Sequence, residues 1–450
     1  MRPTTLLLLL AGWMLLPLPL PGQVYPADTA SGLTLEQCIA FALKHTPALT
    51  QSRLDEEIAD REVKESLAGW YPQVTARYNV QRYLRLPVSF VPDFSDLSSD
   101  RMIPVTFGVA NNSNALFQAD QVLYSNEVWL ASRASRFVRL QSRQNVQATR
   151  INTVVVVTKA YYDVLLTQAQ LQILDEAILR LEKQLKDAYS QFESGTVDET
   201  DYQRATIALG NARSDRRQVA EAVGPKKTLL KELMGDPSEG ALQLVFDARR
   251  VEEDLLVDTL HRASYANRIE YQLLQSQKAL QKLSVGYHQW NFLPTLSAFA
   301  NYNLVYQNQS FRELYSQTFP TSVVGLSATV PLFQGGRRIH NLRKAQLLDR
   351  RLDVELDNAR QRIRTEYEQA LGSYKSALTE WNTVKSNAVL AEKVYRTTKL
   401  QYDEGIKTYL ELIVAETDLR TTQFNYYNAL YRVLSGKLDL QRAQGTVPVQ

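Results

Sequence analysis

Four histidines, a single cysteine and scattered carboxylates are the side chains able to support acid-base, nucleophilic or metal chemistry, and their spacing speaks against all three. His45, His261, His288 and His340 lie far apart, and none has a second histidine or a carboxylate at zinc-ligand spacing. Cys38 stands alone, which rules out a disulfide framework or a thiolate cluster. Leu35, Glu36 and Gln37 before it do not make a lipoprotein signal, so with Ala42 one turn on it is expected to pack as a small apolar side chain. There is no Walker A loop and no dinucleotide glycine fingerprint. Gly335-Gly336-Arg337-Arg338 has the composition of a phosphate-binding helix start, yet a plain strand-to-helix turn explains the same residues. The expectation is no catalytic residue, no metal site, no cofactor and no enzyme.

Two carboxylates are notable for position rather than chemistry. Asp201 follows Gly195 by six residues, and Glu411 follows Gly405 by six. Thr408 with Glu411, and Asp198 with Asp201, have the spacing in which the fourth residue supports a helix's first turn. Spacing alone permits that capping role and a solvent-facing role equally. The elements that hold these residues must decide.

Those elements are long and repeated. Glycine is scarce, 18 of 450 residues, while Ala, Leu, Gln, Arg and Glu fill the middle stretches, a composition that favours long helices. With 51 basic against 48 acidic residues the net charge of +3 gives no reason to expect a nucleic-acid partner. At the N-terminus Arg2, an apolar run from Leu6 to Leu16, prolines at 17, 19 and 21 and then small residues suggest a cleaved export signal over residues 1–30, with the cut at about 22–30. Trp70-Tyr71-Pro72 recurs in Trp290 to Pro294, Leu116-Phe117-Gln118 in Leu332-Phe333-Gln334, and Phe192-Glu193-Ser194-Gly195 in Tyr402-Asp403-Glu404-Gly405, at offsets of 222, 216 and 210. Such slow drift marks an internal duplication. The first repeat is expected over 31–240, with a helix, a β-hairpin at 72–118 and a helical hairpin at 119–235. A linker follows at 241–254. The second repeat spans 255–442, with a β-hairpin at 294–333 and a helical hairpin at 337–440, and a flexible tail closes the chain at 443–450.

Val74, Ala76, Tyr78 and Val80 alternate with polar residues, as do Leu296, Ala298, Ala300, Tyr302 and Leu304, so each strand has one apolar face. In the first hairpin the returning strand is faint, carried by Val105, Phe107 and Val109. Residues 119–193 and 337–403 contain no proline and one glycine, so each helix reaches on the order of 100 Å. Leu174, Ile178, Leu181, Leu185, Ala188 and Phe192 form a heptad seam. Gly224-Pro225 should kink the shorter helix of the first hairpin. Four strands cannot close a barrel, and an open sheet edge is untenable in lipid, so strands that cross a membrane require oligomerisation: two chains supply eight strands and three supply twelve.

This order of elements resembles the TolC-like outer membrane efflux family. The residues that carry the likeness are Leu33-Thr34-Leu35-Glu36 with Ala40, Ala42 and Leu43 before Thr46-Pro47; Pro72 and Pro294 at the strand starts; Pro331-Leu332-Phe333-Gln334-Gly335-Gly336; and Tyr402 to Gly405. The resemblance implies a mainly α protein with membrane β: a homotrimer with a shared twelve-stranded barrel in outer-membrane lipid and a periplasmic tunnel of coiled-coil helices. It further implies a passive duct for efflux or type I secretion. A periplasmic adaptor protein and an inner-membrane transporter of RND or ABC type would complete the pathway. By the same likeness the gate residues are Thr200, Asp201, Tyr402 and Lys407, the acidic ring at the entrance is Glu411, and the adaptor docks on Gly195, Thr196, Val197, Gly405 and Ile406. The alternative is a periplasmic helical adaptor or scaffold that conducts nothing. It would need its strands in one compact barrel, whereas these hairpins stand some two hundred residues apart.

Overall fold

The computed structural model describes residues 32–92, 102–245, 252, 255 and 264–449, so the export-signal segment and His261 lie outside the described residues. Thr34 opens α1 (Leu35–His45) with a capping box, Gln37 N donating to its hydroxyl at 3.3 Å while Thr34 N donates to the Gln37 side chain at 2.9 Å. Pro47 then starts α2 (Pro47–Leu67), at a position where its missing N–H costs nothing. There follow β1 (Gln73–Arg82), β2 (Val88–Pro92), β3 (Met102–Thr106), β4 (Asn111–Tyr124), α3 (Asn126–Glu193) and α4 (Glu199–Met234). The second repeat gives α5 (Ile269–Trp290), β5 (Thr295–Asn308), β6 (Phe319–Thr329), α6 (Arg337–Asp403) and α7 (Tyr409–Gln444). The fold is mainly α with a membrane-type β-sheet. Among the described residues no helix is long and apolar enough to cross a membrane.

Two hairpins from the two repeats join into one antiparallel sheet of order β1-β4-β5-β6. Its register stacks Val74, Ala119, Ala300 and Val324 on one face, and Ala76, Phe117, Tyr302 and Ser322 beside them. Thr75, Gln118 and Asn301 share the other face with Val323. Val74, Val324 and Leu326 are 74%, 82% and 78% exposed, so the apolar face has no cover within one chain. The faint strand expected at Val105, Phe107 and Val109 is misplaced: Val105 pairs with Ser89 in a separate two-stranded ribbon of β2 and β3, and Gly108 at φ 100° ends it. The returning strand is β4, which runs to Tyr124 rather than stopping at 118. Asn111 and Ser113 blur its alternation because both are buried, and Tyr315 of the loop between β5 and β6 donates to Ser113 at 3.4 Å. The first helical hairpin therefore begins at Asn126, not 119.

The 68 residues of α3 and the 67 of α6 each reach about 100 Å at 1.5 Å per residue. Their shorter partners end where another helix begins. α4 stops at Gly235, φ 74°, against His45 and Thr46 at the start of α2, and α7 stops at Gly445, φ 74°, against Asn267 just before α5. A Cβ on Gly235 would lie 2.4 Å from the His45 carbonyl oxygen, and one on Gly445 would lie 3.0 Å from that of Asn267. Only glycine allows so close an abutment in the left-handed conformation. Across the first joint Thr46 Oγ1 donates to Leu233 O at 2.6 Å, which pins the end of α4 to the start of α2.

The core sits around these joints. Cys38 and Ala42 from α1, Val157, Tyr161 and Leu165 from α3, Leu230 and Met234 from α4, Tyr374 from α6, and Leu430 and Val433 from α7 form one cluster. Burial pushes the Cys38 thiol up to about 12, in keeping with its packing role. Leu33 bridges Leu244, and Tyr374 donates to Leu255 O at 2.8 Å, which ties the segment between the repeats to the core. α4 runs as one assigned helix with Pro225 inside it. One expectation differs: the tail is not loose, since α7 continues to Gln444 and Val447 packs with Val154 and Val155.

Candidate periplasmic gate

At the end remote from the sheet, both helical hairpins reverse by the same device. Gly195, φ 72°, donates to Phe192 O at 2.9 Å while Thr196 N reaches Gln191 O at 2.9 Å; Gly405, φ 71°, donates to Tyr402 O at 2.9 Å while Ile406 N reaches Gln401 O at 2.8 Å. These paired bonds satisfy the last carbonyls of α3 and α6. Thr196 is exposed and its hydroxyl is 2.5 Å from that of Ser194, Val197 is half-buried, and Ile406 is 71% exposed.

Just above the tips the two hairpins touch through small and aromatic residues. Ala188, Ala205, Tyr395, Tyr409, Leu412, Ala415 and Leu419 are buried together, with Tyr402 at their margin. Alanine at 188 and 205 lets the backbones approach, and Tyr402 meets Tyr409 edge-on with ring centres 6.1 Å apart.

Within one chain each gate residue is partnered by a residue outside the gate set. Thr200 donates to Asp198 Oδ2 at 3.0 Å, and Asp201 lies 3.7 Å from Arg204 one turn on. Tyr402 donates to Gln191 at 3.3 Å, and Lys407 pairs with Glu411. Asp201 thus bonds neither Tyr402 nor Lys407 of its own chain. Burial raises the Tyr402 phenol, and the nearby carboxylates of Asp187, Asp201 and Asp403 add to that rise.

The capping alternative is realised at one tip only. Thr408 and Glu411 form a full capping box, Glu411 N donating to Thr408 Oγ1 at 3.4 Å and Thr408 N to Glu411 Oε2 at 3.0 Å. The bond from Lys407, then that from the Thr408 backbone, hold the Glu411 carboxyl below the usual range. Asp198 caps no backbone N–H of α4.

Sequence reasoning missed a buried polar group some two turns further in. Glu416 of α7 is 2% exposed and accepts from Arg180 Nε of α3 at 3.1 and 3.3 Å, and the Arg180 guanidinium also lies 5.7 Å from the centre of the Tyr395 ring of α6. Burial raises the Glu416 carboxyl despite its cation, and burial with the Glu416 charge pushes Tyr395 up to about 12. The signal was present, because Glu416 interrupts an apolar stripe of Leu412, Ala415 and Leu419. Among the described residues no group of three or more His, Cys, Asp or Glu is placed to hold a metal ion.

The fold agrees with what comparison with known proteins finds. The family model described as Outer membrane efflux protein matches residues 39–236 and 270–446, one segment in each repeat. The chain is 20% identical over 416 residues to the outer membrane protein TolC of Vibrio cholerae, covering 91% of this chain and 90% of that one. It is 21% identical over 432 residues to the proteases secretion protein PrtF of Dickeya chrysanthemi, covering 94% and 90%. Among solved structures, the outer membrane protein VceC from Vibrio cholerae superimposes with a TM-score of 0.70 at 17% identity, over 91% of this chain and 96% of that one.

Proposed function

From the premise that this chain belongs to the outer membrane efflux protein family, we propose that three copies assemble into one gated duct across the outer membrane and periplasm. One observation carries the reading. The four-stranded sheet has unpaired edges at β1 and β6 and an exposed apolar face, and such a sheet is tolerable in lipid only when its edges are paired. Pairing β6 of one copy with β1 of the next, three times around an axis, closes twelve strands. The polar face with Thr75, Gln118 and Asn301 then lines the lumen, and the helices continue it as a tunnel.

The tips form the entrance. Asp201 is offered as the acceptor for Tyr402 and Lys407 of an adjacent hairpin in the closed trimer, with Thr200 adding a weaker bond. Exposed ion pairs such as Asp201 with Arg204 are weak and exchange partners readily, which suits a gate. Three Glu411 carboxylates at one height make an acidic ring. A periplasmic adaptor grips Gly195, Thr196, Val197, Gly405 and Ile406 and links the duct to an inner-membrane transporter of RND or ABC type; modest differential binding is enough to shift the population toward open.

Planar-bilayer recording of the purified protein tests this reading. Uniform single-channel steps are expected, larger in the double variant Asp201→Ala, Tyr402→Phe, with divalent-cation block weakened by Glu411→Ala. No conductance from folded protein would overturn the duct, and unchanged conductance in a folded double variant would move the gate elsewhere.

A further inference from the structure

Where the sheet gives way to the long helices, each repeat shows the same progression from exposed apolar side chains to cations. Tyr71, Trp290, Phe292, Leu332 and Phe333 are exposed just beyond the strand ends. The next turns of α3 carry Arg133 and Arg136, and those of α6 carry Arg337, Arg338, Arg343 and Lys344. From 337 to 351 six cations face a single carboxylate, Asp349, which is committed to Lys278 at 2.8 Å. Among the described residues Arg133, Arg136, Arg337, Arg343 and Lys344 make no ion pair, and all five are exposed.

A second feature fixes some of these cations in place. The Arg133 guanidinium lies 4.9 Å from the ring centre of Trp129, and that of Arg338 lies 4.7 Å from that of Phe292, one such pair in each repeat. Cation–π contact holds the Arg133 guanidinium over an aromatic face and leaves its N–H edge free to donate, whereas Arg338 also donates from Nη2 to the Pro331 and Leu332 carbonyls and so braces the turn into α6. Arg133 lies seven residues into α3, about 10 Å at a helical rise of 1.5 Å per residue, and Arg337 is the first residue of α6, eight residues after the end of β6. That is headgroup depth beneath an apolar band bounded by those aromatic residues.

We propose that this basic collar binds the headgroups of anionic phospholipids in the periplasmic leaflet, which anchors the barrel at a set height. The inference rests on the reading that the sheet spans the membrane. Arginine suits the partner because its planar fork donates two parallel bonds to one phosphate. A zwitterionic headgroup brings its own ammonium into the same cationic field, so the gain is specific to a net negative lipid.

The test uses the purified full chain in neutral detergent. Native mass spectrometry counts retained lipid after addition of phosphatidylglycerol, of phosphatidylcholine, or of phosphatidylglycerol with excess inorganic phosphate. The wild type should retain phosphatidylglycerol in preference to phosphatidylcholine, undisturbed by phosphate. Arg133→Gln with Arg136→Gln should weaken retention roughly thirtyfold, and Arg337→Gln with Arg343→Gln and Lys344→Gln roughly a hundredfold. The exposed Lys393→Gln, lower on α6, should change nothing. Should a glutamine set fail to fold, lysine at the arginine positions keeps the charge, and the preference should persist but fall with salt. Equal retention of both lipids, or full competition by phosphate, overturns the collar while leaving the spanning sheet intact. Retention of neither lipid also overturns the collar, while planar-bilayer conductance tests the spanning sheet separately.

Discussion

Gly235→Ala should weaken the joint between α4 and α2 far more than an alanine placed at a helical tip. Its φ of 74° costs an L-residue about 1–2 kcal/mol, the penalty of the left-handed conformation. The new Cβ would then stand 2.4 Å from His45 O, 2.8 Å from His45 C and 2.9 Å from Thr46 Cα, all backbone atoms that no rotamer change can move aside. Relief requires the helix ends to part by about 1 Å, the shortfall from an ordinary van der Waals separation. That movement stretches the bond from Thr46 Oγ1 to Leu233 O, now 2.6 Å, whose net worth is about 1 kcal/mol. Together the loss is about 2–3 kcal/mol. Gly195→Ala is the internal control, because its φ is 72° but nothing lies within 4 Å of the added Cβ. It should lose only the conformational part. Apparent unfolding temperature in detergent measures both variants side by side, and equal shifts would refute the reasoning that the two short helices abut.

The sheet's sidedness is tested by Ala300→Arg, which should cost about 2–4 kcal/mol near mid-bilayer, against near-neutral Asn301→Arg on the opposite face; urea unfolding in lipid vesicles separates them. Arg180→Ala should destabilise by about 3–5 kcal/mol because it strands a buried carboxylate, whereas Glu416→Gln should be well tolerated. Because the Glu416 pKa is raised on folding, its ionisation subtracts stability as pH climbs from the ordinary glutamate range through the raised value. Glu416→Gln should flatten that part of a stability–pH profile. Thr408→Ala should loosen the start of α7 by about 1 kcal/mol, read as faster amide exchange over 409–412. The Glu411 pKa is lowered, so its capping contribution holds above the ordinary glutamate range and is lost as pH falls through the folded value, visible as reduced amide protection over 409–412 relative to the intrinsic rate at each pH.

Much of this architecture was legible because long helices and duplicated motifs leave periodic signals. The heptad seam through Leu174, Leu181 and Ala188 is buried as its spacing implied, and Gly195 and Gly405 mark the two reversals. The β4 strand was misplaced because alternation needs one dry face, and near its outer end Asn111 and Ser113 are covered by protein instead of lipid. The helix joints were invisible for a different reason. Gly235 announces a helix end, but its contact with the His45–Thr46 turn spans almost two hundred residues, and no local rule encodes that distance. At the gate, residue types and positions could be read, whereas hydrogen-bond partners could not. Thr408 and Glu411 cap because their spacing is intrahelical, while Tyr402 chose Gln191 of the facing helix, a choice set by packing of the two hairpins.

The central claim, that three sheets share one closed barrel, is tested most directly by cross-linking the free edges. A cysteine at Thr75 on β1 is combined in turn with one at each position from 321 to 329 on β6, and the protein is oxidised in outer membranes. Cys38 does not interfere, being fully buried with its thiol pushed up to about 12. At one register the account predicts a disulfide ladder of monomer, dimer and trimer on denaturing gels, ending at three. A ladder that stops at two, or that continues past three, contradicts it, as does monomer at every register.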